Sequence, residues 1–132
     1  MINRSKDFKK VVNLDYLMSL SKGNTKFVKE MLDTFLEENP KEIAGLDQAI
    51  QLKNFEAIKQ ASHLMQSSLP FVGLDKIIEA EIYEIERLAI DGSDLHKIEE
   101  LFLKVKEFCE KACVELKNTD HSGYLVTNTI GI

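Results

Sequence analysis

The chain has 132 residues, of which 44% are hydrophobic and 30% charged, and this fits a single globular domain with one core. The net charge of −5 and the lack of a basic stripe with interleaved aromatic residues argue against nucleic acid as a partner. No apolar run approaches the roughly 20 residues of a membrane-spanning helix, and no apolar segment typical of a secretory signal follows residues 1–7. We therefore expect a cytoplasmic protein that binds neither membrane nor nucleic acid.

The chain begins with a mixed, polar segment and a short helix. Residues 1–12 predict an N-terminal extension that is ordered only where Val11 and Val12 dock. Residues 13–20 predict the short helix, with Asn13 as its N-cap because an asparagine side chain accepts a free backbone N–H at a helix start.

A strong helical period starts at Thr25 and continues well beyond Pro40. Proline either begins a new helix at its first position or interrupts the hydrogen bonds of one long helix. Because the apolar phase carries through from Phe35 to Ile43, we predict one long helix with a kink at Pro40.

The next helix starts near Phe55 and contains His63. At ~100° per residue, one apolar or small-residue sector is formed by Ile58, Ala61, Ser62, Met65, Leu69 and Val72. His63 lies about 150° from the middle of that sector, so the imidazole is predicted to face solvent. Pro70 cannot donate an N–H to the carbonyl of Gln66, so this helix should bend or end just beyond the histidine.

Two further amphipathic helices complete the predicted domain. One follows Gly73, and the other has apolar residues from Leu95 to Leu116 that alternate by three and four, with Ser93 as its expected cap. Four long helices joined by short links predict an all-α, up-down four-helix bundle with a short additional N-terminal helix. We assign the bundle to residues 13–117 and expect residues 118–132 to form a flexible C-terminal tail.

Metal binding fits the histidines poorly. A metal site inside a helical bundle uses a Glu-x-x-His pair, whereas the residues three positions before His63 and His96 are Gln60 and Ser93. We therefore predict that no metal and no cofactor is bound.

The cysteines and serines indicate neither a zinc site nor a hydrolase. Cys109 and Cys113 are four residues apart on one helix, so we expect free thiols, and zinc would need two further ligands. Ser67 and Ser68 lie close to His63, but no nucleophile elbow or glycine-rich loop accompanies them.

An exposed imidazole remains useful as a nucleophile, because a neutral ring offers one nitrogen lone pair to an electrophile. In phosphoryl transfer, a partner that supplies the metal and most of the site can approach such a ring in line. Gln66 and Lys59 are within reach of the phosphoryl oxygens, and the small Ser67 leaves room beside the ring. Periodicity alone leaves open the alternative that His63 is a surface residue without a role.

The segment around His63 resembles the histidine-containing phosphotransfer (HPt) domain of multistep two-component signalling. The family pattern Ala-His-x-Leu-Lys-Gly-Ser, followed by Leu-Gly-(Ala/Leu), corresponds here to Ser-His-Leu-Met-Gln-Ser-Ser at residues 62–68 and Val-Gly-Leu at residues 72–74. The segment from Asn13 to Asn24, the run at residues 27–36 and Pro40 are also similar to such domains.

The resemblance implies that His63 accepts a phosphoryl group from a receiver aspartate and passes it to another receiver. The implied partners are response-regulator receiver domains, a hybrid histidine kinase, or both. Such a domain is not an enzyme by itself, because Mg²⁺ and most catalytic groups belong to the receiver. The family lysine that helps to hold the phosphoryl group is Gln66 here, and the family glycine that allows close approach is Ser67. Lys59 is a candidate to supply the missing charge.

The family resemblance also implies a hydrogen bond to the histidine from a polar residue of the next helix. Glu84 and Glu86 are candidates, although a solvated helix face explains each of them better. Leu14, Leu17 and Met18 either cover the end of the bundle or form an apolar patch where a receiver docks.

Two other functions stay open. The replacement of the family lysine by Gln66 suggests an HPt-like adaptor that binds receiver or kinase domains without being phosphorylated. A helical structural module that forms oligomers is the third possibility, although we expect a monomer.

Overall fold

The computed structural model describes residues 10–118, which form five α-helices and one 3₁₀ turn. They are α1 (Asp15–Ser21), α2 (Thr25–Gln51), α3 (Phe55–Met65), the 3₁₀ turn (Leu69–Val72), α4 (Asp75–Asp91) and α5 (Leu95–Asn118). α2 packs on α3, α3 on α4 and α4 on α5, and α5 closes the ring against α2, while α1 packs on the 3₁₀ turn and α2. This is the predicted all-α four-helix bundle with a short additional N-terminal helix.

Most of the predicted extension and tail, residues 1–9 and 119–132, lies outside the described residues. Within residues 10–118, none of the helices combines the length and apolar character that a bilayer-spanning segment requires.

The core is formed by one apolar face from each helix. Its largest fully buried side chains are Leu17, Leu32, Leu46, Ile58, Met65, Leu69, Leu74, Ile78, Ile82, Ile85, Ile98 and Leu116. The face predicted for the last helix from its spacing of three and four is buried from Ile98 to Leu116. Hydrophobic periodicity therefore accounts for the interior of the bundle.

Pro40 lies inside α2, which runs through it as one helix, as the apolar phase predicts. Leu32 and Phe35 before the proline and Ile43 and Leu46 after it are all buried on the same face. A proline inside a helix costs roughly 3 kcal/mol, whereas each fully buried leucine or isoleucine side chain contributes about 2 kcal/mol. Burial on both sides of Pro40 thus outweighs the lost hydrogen bond.

Polar side chains cap three of the helices. Asn24 and Asn54 each accept the backbone N–H three residues further on, at the starts of α2 and α3. The prediction that Ser93 caps the last helix is wrong, because Asp94 Oδ1 accepts the N–H of Lys97 at 3.1 Å. The helix starts one residue later than that prediction requires, so the cap moves with it.

Residues 11–14, which we call the N-terminal strap, connect distant parts of the chain. The N–H of Val11 donates to Glu115 Oε1 on α5 at 2.9 Å, and Val12 donates to the same oxygen at 3.4 Å. α1 begins at Asp15, two residues later than predicted, and its N-cap is Leu14, so the prediction of Asn13 as the N-cap is wrong. The Asn13 side chain nevertheless accepts the Asp15 N–H at Oδ1, at 2.8 Å. Docking of the two valines, expected from the sequence, is confirmed.

Gly73 lies directly under the strap. Its φ of +79° is in the left-handed region that favours glycine. A Cβ at this position would lie 2.7 Å from Cβ of Asn13 and 2.8 Å from the Asn13 carbonyl oxygen. The N–H of Asn13 also donates to the carbonyl of Val72 at 2.9 Å. The strap therefore fixes the turn between α3 and α4 through backbone contact that only glycine permits.

A small polar cluster joins α2 to α5 inside the core. The Asn39 amide donates to Cys109 Sγ at 3.6 Å, and the Cys113 thiol donates to Asn39 Oδ1 at 3.7 Å. Both thiols are free, as their spacing on one helix predicts. Burial raises the pKa of Cys109 to about 12 and also raises the pKa of Cys113, so both remain protonated at neutral pH.

Candidate functional site

His63 lies in the last turn of α3, on the side opposite the core. Ile58, Ser62 and Met65 are buried on the inner face of this helix, whereas the His63 side chain is 72% exposed. The buried Ser62 hydroxyl donates to the Ile58 carbonyl at 2.8 Å, which satisfies it within its own helix. The helix ends at Met65, just beyond the histidine. Both the exposure of the ring and the end of the helix agree with the sequence predictions.

The inner nitrogen of the imidazole is held by a carboxylate from the neighbouring helix. Nδ1 of His63 lies 2.9 Å from Oε2 of Glu86 on α4, whose side chain is only 21% exposed. An ionised carboxylate only accepts hydrogen bonds, so the proton in this bond is on Nδ1. A neutral ring protonated on Nδ1 carries its lone pair on Nε2. Within residues 10–118, Nε2 has no hydrogen-bond partner.

Gln66 belongs to the same group of side chains. Its Nε2 amide donates to Oε1 of Glu86 at 2.6 Å, so the carboxylate bridges His63 and Gln66. This places Gln66 in the candidate site, where the sequence predicts it, with its amide bound to Glu86.

Lys59 and Ser67, the other two residues predicted beside the histidine, make other contacts. Lys59 Nζ lies 3.1 Å from Oε2 of Glu56, in the turn before. Ser67 is exposed, and its hydroxyl donates to the carbonyl of Leu64 at 3.4 Å. Neither side chain is bonded to the imidazole.

Glu84 and Glu86, equivalent candidates in the sequence, have different surroundings. Glu84 pairs with Arg87 on its own helix, and hydrogen bonding to that guanidinium lowers the pKa of the Glu84 carboxyl. One turn before Glu84, Oε2 of Glu81 lies 2.7 Å from Nζ of Lys104 on α5. That flank of α4 therefore faces α5, while the flank with Glu86 faces the histidine helix.

The predicted apolar docking patch needs correction. Leu17 is fully buried and Leu14 is 7% exposed, so both belong to the core. Met18 is partly buried against the same core. These residues cover the bundle, which is the first of the two alternatives, because the inner face of α1 points towards the 3₁₀ turn and α2.

Three exposed apolar side chains of α1 and α3 were not identified from the sequence. Leu64, next to His63, is 62% exposed, and Tyr16 and Leu20 are exposed on the outer face of α1. The Tyr16 ring stacks on Phe71 of the 3₁₀ turn, with 6.1 Å between ring centroids. The sequence feature that could have identified these residues is an apolar side chain on the polar face of an amphipathic helix.

No group of three or more His, Cys, Asp or Glu side chains within residues 10–118 is arranged to hold a metal ion. The candidate site is thus an exposed imidazole with one nitrogen fixed and the other open, next in sequence to the exposed Leu64. Such a site can present a nucleophilic nitrogen to a protein partner.

A comparison with protein families identifies the family that the sequence around His63 resembles. The family model for the Hpt domain matches residues 30–111, from the first part of α2 into α5, and this range contains His63, Gln66 and Glu86. No curated protein and no solved structure matches the chain significantly. Because the family model covers more than half of the chain, the protein belongs to the Hpt domain family, whose helical modules have a phosphotransfer role in two-component signal transduction.

Proposed function

We propose that His63 accepts a phosphoryl group from the aspartyl phosphate of a receiver domain and passes it to an aspartate of another receiver. The observation that carries the proposal is the open Nε2 of a ring whose Nδ1 is held by Glu86. Membership of the Hpt family supports the phosphotransfer role.

The proposal involves named atoms of His63 and of the receiver aspartate. The Nε2 lone pair forms the N–P bond as the bond between phosphorus and the aspartate oxygen breaks, and its electron pair returns to the aspartate carboxylate. The ring keeps its Nδ1 proton and becomes cationic as the N–P bond forms. Glu86 accepts that proton's hydrogen bond throughout and stabilises the positive charge. In the onward step the same bonds break and form in reverse, on the aspartate of the second receiver.

Groups that stabilise the transferred phosphoryl oxygens are expected mainly from the receiver. On the HPt side, the Lys59 ammonium is paired with Glu56 and the Gln66 amide with Glu86. Phosphoryl transfer depends on positioning and on neutralising oxygen charge, so Mg²⁺ and cationic side chains of the receiver suit this task. Ser67 contributes by leaving space for that approach.

The receiver is proposed to dock on exposed apolar side chains near the histidine. Leu64 is adjacent to His63 in α3, while Tyr16 and Leu20 lie on α1, which packs on the turn after α3. Isolated exposed apolar residues are common, but an exposed leucine next to an accessible nucleophile fits a protein-binding surface.

Phosphotransfer from a labelled receiver tests the proposal. The wild type is expected to form a phosphoryl adduct that is labile in acid and stable in base, and His63→Gln is expected to form none. His96→Gln is the matched control, because His96 is also strongly exposed but lies on α5. No adduct on the wild type, or an undiminished adduct on His63→Gln, would contradict the proposal.

The alternative is an adaptor that binds a receiver or kinase without accepting phosphate. Glutamine replaces the family lysine at position 66, and its amide is bonded to Glu86, which favours the adaptor. Equal receiver binding by the wild type and His63→Ala, with no transfer to either, would support the adaptor. Sedimentation as a monomer would count against an oligomer-forming structural module.

A further inference from the structure

We propose that Gln66 is a positioning residue that acts on His63 through Glu86 and does not hold the phosphoryl group. The inference rests on the proposed function of His63 as phosphoacceptor. It assigns a role to the side chain that occupies the position of the family's lysine.

Both oxygens of the Glu86 carboxylate are engaged by α3. Oε2 accepts from Nδ1 of His63 at 2.9 Å, and Oε1 accepts from the Gln66 amide at 2.6 Å. His63 and Gln66 are three residues apart on one turn, so a single carboxylate reaches both. The imidazole and the amide are therefore tied to the same rigid group on α4.

The second hydrogen bond restricts the orientation of the carboxylate. A glutamate side chain has several rotamers, and one that is 21% exposed can turn an oxygen towards water. The Gln66 amide holds Oε1, which keeps Oε2 directed at Nδ1. Gln66 is itself fixed at the C-cap of α3, where its backbone N–H donates to the His63 carbonyl at 3.2 Å. Gln66 thereby favours the ring form that has its lone pair on Nε2.

The neutral amide also preserves the charge of Glu86. A lysine at this position would form an ion pair with the carboxylate and compete with the imidazole for it. An amide donates a hydrogen bond without cancelling the negative charge that the ring needs when it becomes cationic. On this basis glutamine suits a site whose partner residue is glutamate.

The test measures the ring directly, without a receiver. Nitrogen-15 chemical shifts of the imidazole report which ring nitrogen carries the proton, in the wild type, Gln66→Ala, Gln66→Lys and Gln60→Ala. Phosphorylation by phosphoramidate, which releases ammonia as the N–P bond to histidine forms, gives the rate for the same proteins. Gln60 is the control because its amide donates to Glu56 at 3.1 Å and does not contact Glu86.

We expect the wild type and Gln60→Ala to show His63 mainly protonated on Nδ1. Gln66→Ala and Gln66→Lys should raise the Nε2-protonated fraction and slow phosphorylation by about three- to tenfold, the range that corresponds to the net contribution of one ordinary hydrogen bond. An unchanged tautomer ratio in Gln66→Ala would overturn the proposal. Faster phosphorylation of Gln66→Lys, with the ring unaffected, would overturn it in favour of direct phosphoryl contact.

The same measurements separate this inference from the proposed function. A tautomer change in the Gln66 variants, with no phosphoryl uptake by the wild type, supports positioning and contradicts the phosphoacceptor role alone. Phosphoryl uptake at His63 with identical ring spectra and rates in all four proteins supports the phosphoacceptor role and contradicts the positioning role of Gln66.

Discussion

Glu86 and His63 are 23 positions apart in the sequence and 2.9 Å apart in space, and their contact determines which ring nitrogen faces solvent. The carboxylate is largely covered while the imidazole is largely exposed. One end of the ring is thus anchored to the bundle, and the other end is free for a partner. Rigid support behind a reactive group lowers the entropy lost when the reacting atoms meet.

Replacing Glu86 with Gln should slow phosphoryl transfer to His63. The variant keeps the shape of the side chain but removes the charge that stabilises the cationic ring. We expect a rate about tenfold lower, the effect of roughly 1.4 kcal/mol in the barrier. The initial rate of transfer from a phosphorylated receiver measures it. Glu84→Gln is the control, since Glu84 pairs with Arg87, and equal rates for the two variants would refute the role of Glu86.

Replacing Leu64 with Asp should weaken receiver binding. The change puts a charge in the middle of the proposed docking surface but alters no core contact, because Leu64 is 62% exposed. Loss of one apolar contact and desolvation of the carboxylate predict binding weaker by about tenfold or more. Titration calorimetry with a receiver domain measures the effect.

Leu103→Asp provides the control for that experiment. Leu103 is 66% exposed, so its substitution is equivalent in exposure, but it lies on α5. We expect its receiver affinity to match the wild type. If both variants bound equally well, or both lost affinity to the same extent, Leu64 would not belong to the interface.

Alanine substitutions at three glycines should have graded effects on stability. Gly73→Ala combines a left-handed backbone with a Cβ in contact with Asn13, and we expect a loss of about 3 kcal/mol. Gly92→Ala has the backbone strain with open space around it, so the loss should be about 1 kcal/mol. Gly45→Ala, in the interior of α2 with open space, should gain up to about 1 kcal/mol. Urea unfolding midpoints give the order, and a Gly73→Ala protein as stable as Gly92→Ala would contradict the close approach of the strap.

Alkaline pH should destabilise the protein through the buried thiol of Cys109. Burial raises the pKa of this thiol from 9.0 to about 12, so the unfolded chain loses the proton at lower pH than the folded protein. The stabilising contribution is complete below pH 9 and is lost between pH 9 and about 12, by at most about 1.4 kcal/mol per pH unit. Cys109→Ala should be less stable at neutral pH, yet lose stability less steeply above pH 9. Parallel curves of unfolding free energy against pH for the two proteins would exclude this contribution.

Helical periodicity was sufficient to predict the architecture. Apolar residues at spacings of three and four define the inner faces of the four long helices, and the phase continues through Pro40 because burial decides the outcome there. The same pattern placed His63 outside, and Pro70 predicted that the helix bends or ends just beyond it, as it does at Met65. The helix starts were less accurate, since the choice between Ser93 and Asp94 as a cap depends on one residue of backbone geometry.

The partner of the histidine was beyond the reach of periodicity. Glu84 and Glu86 flank the inner stripe of α4 on opposite sides, so the pattern treats them alike. Which flank faces the histidine helix depends on the handedness of the helix ring, and this is a property of the assembled bundle. Leu14 and Leu17 posed a similar problem, because a seven-residue helix has too few turns to reveal which apolar face is covered.

The bond between Val11 and Glu115 joins positions separated by 104 residues. Translation runs from the N-terminus, so the N-terminal strap emerges from the ribosome before α5, and their contact can form only after α5 has emerged. The group formed by His63, Gln66 and Glu86 spans far less of the chain and can assemble as soon as α3 and α4 have emerged. In the order of synthesis, contacts among these three side chains therefore become possible before the contact between Val11 and Glu115.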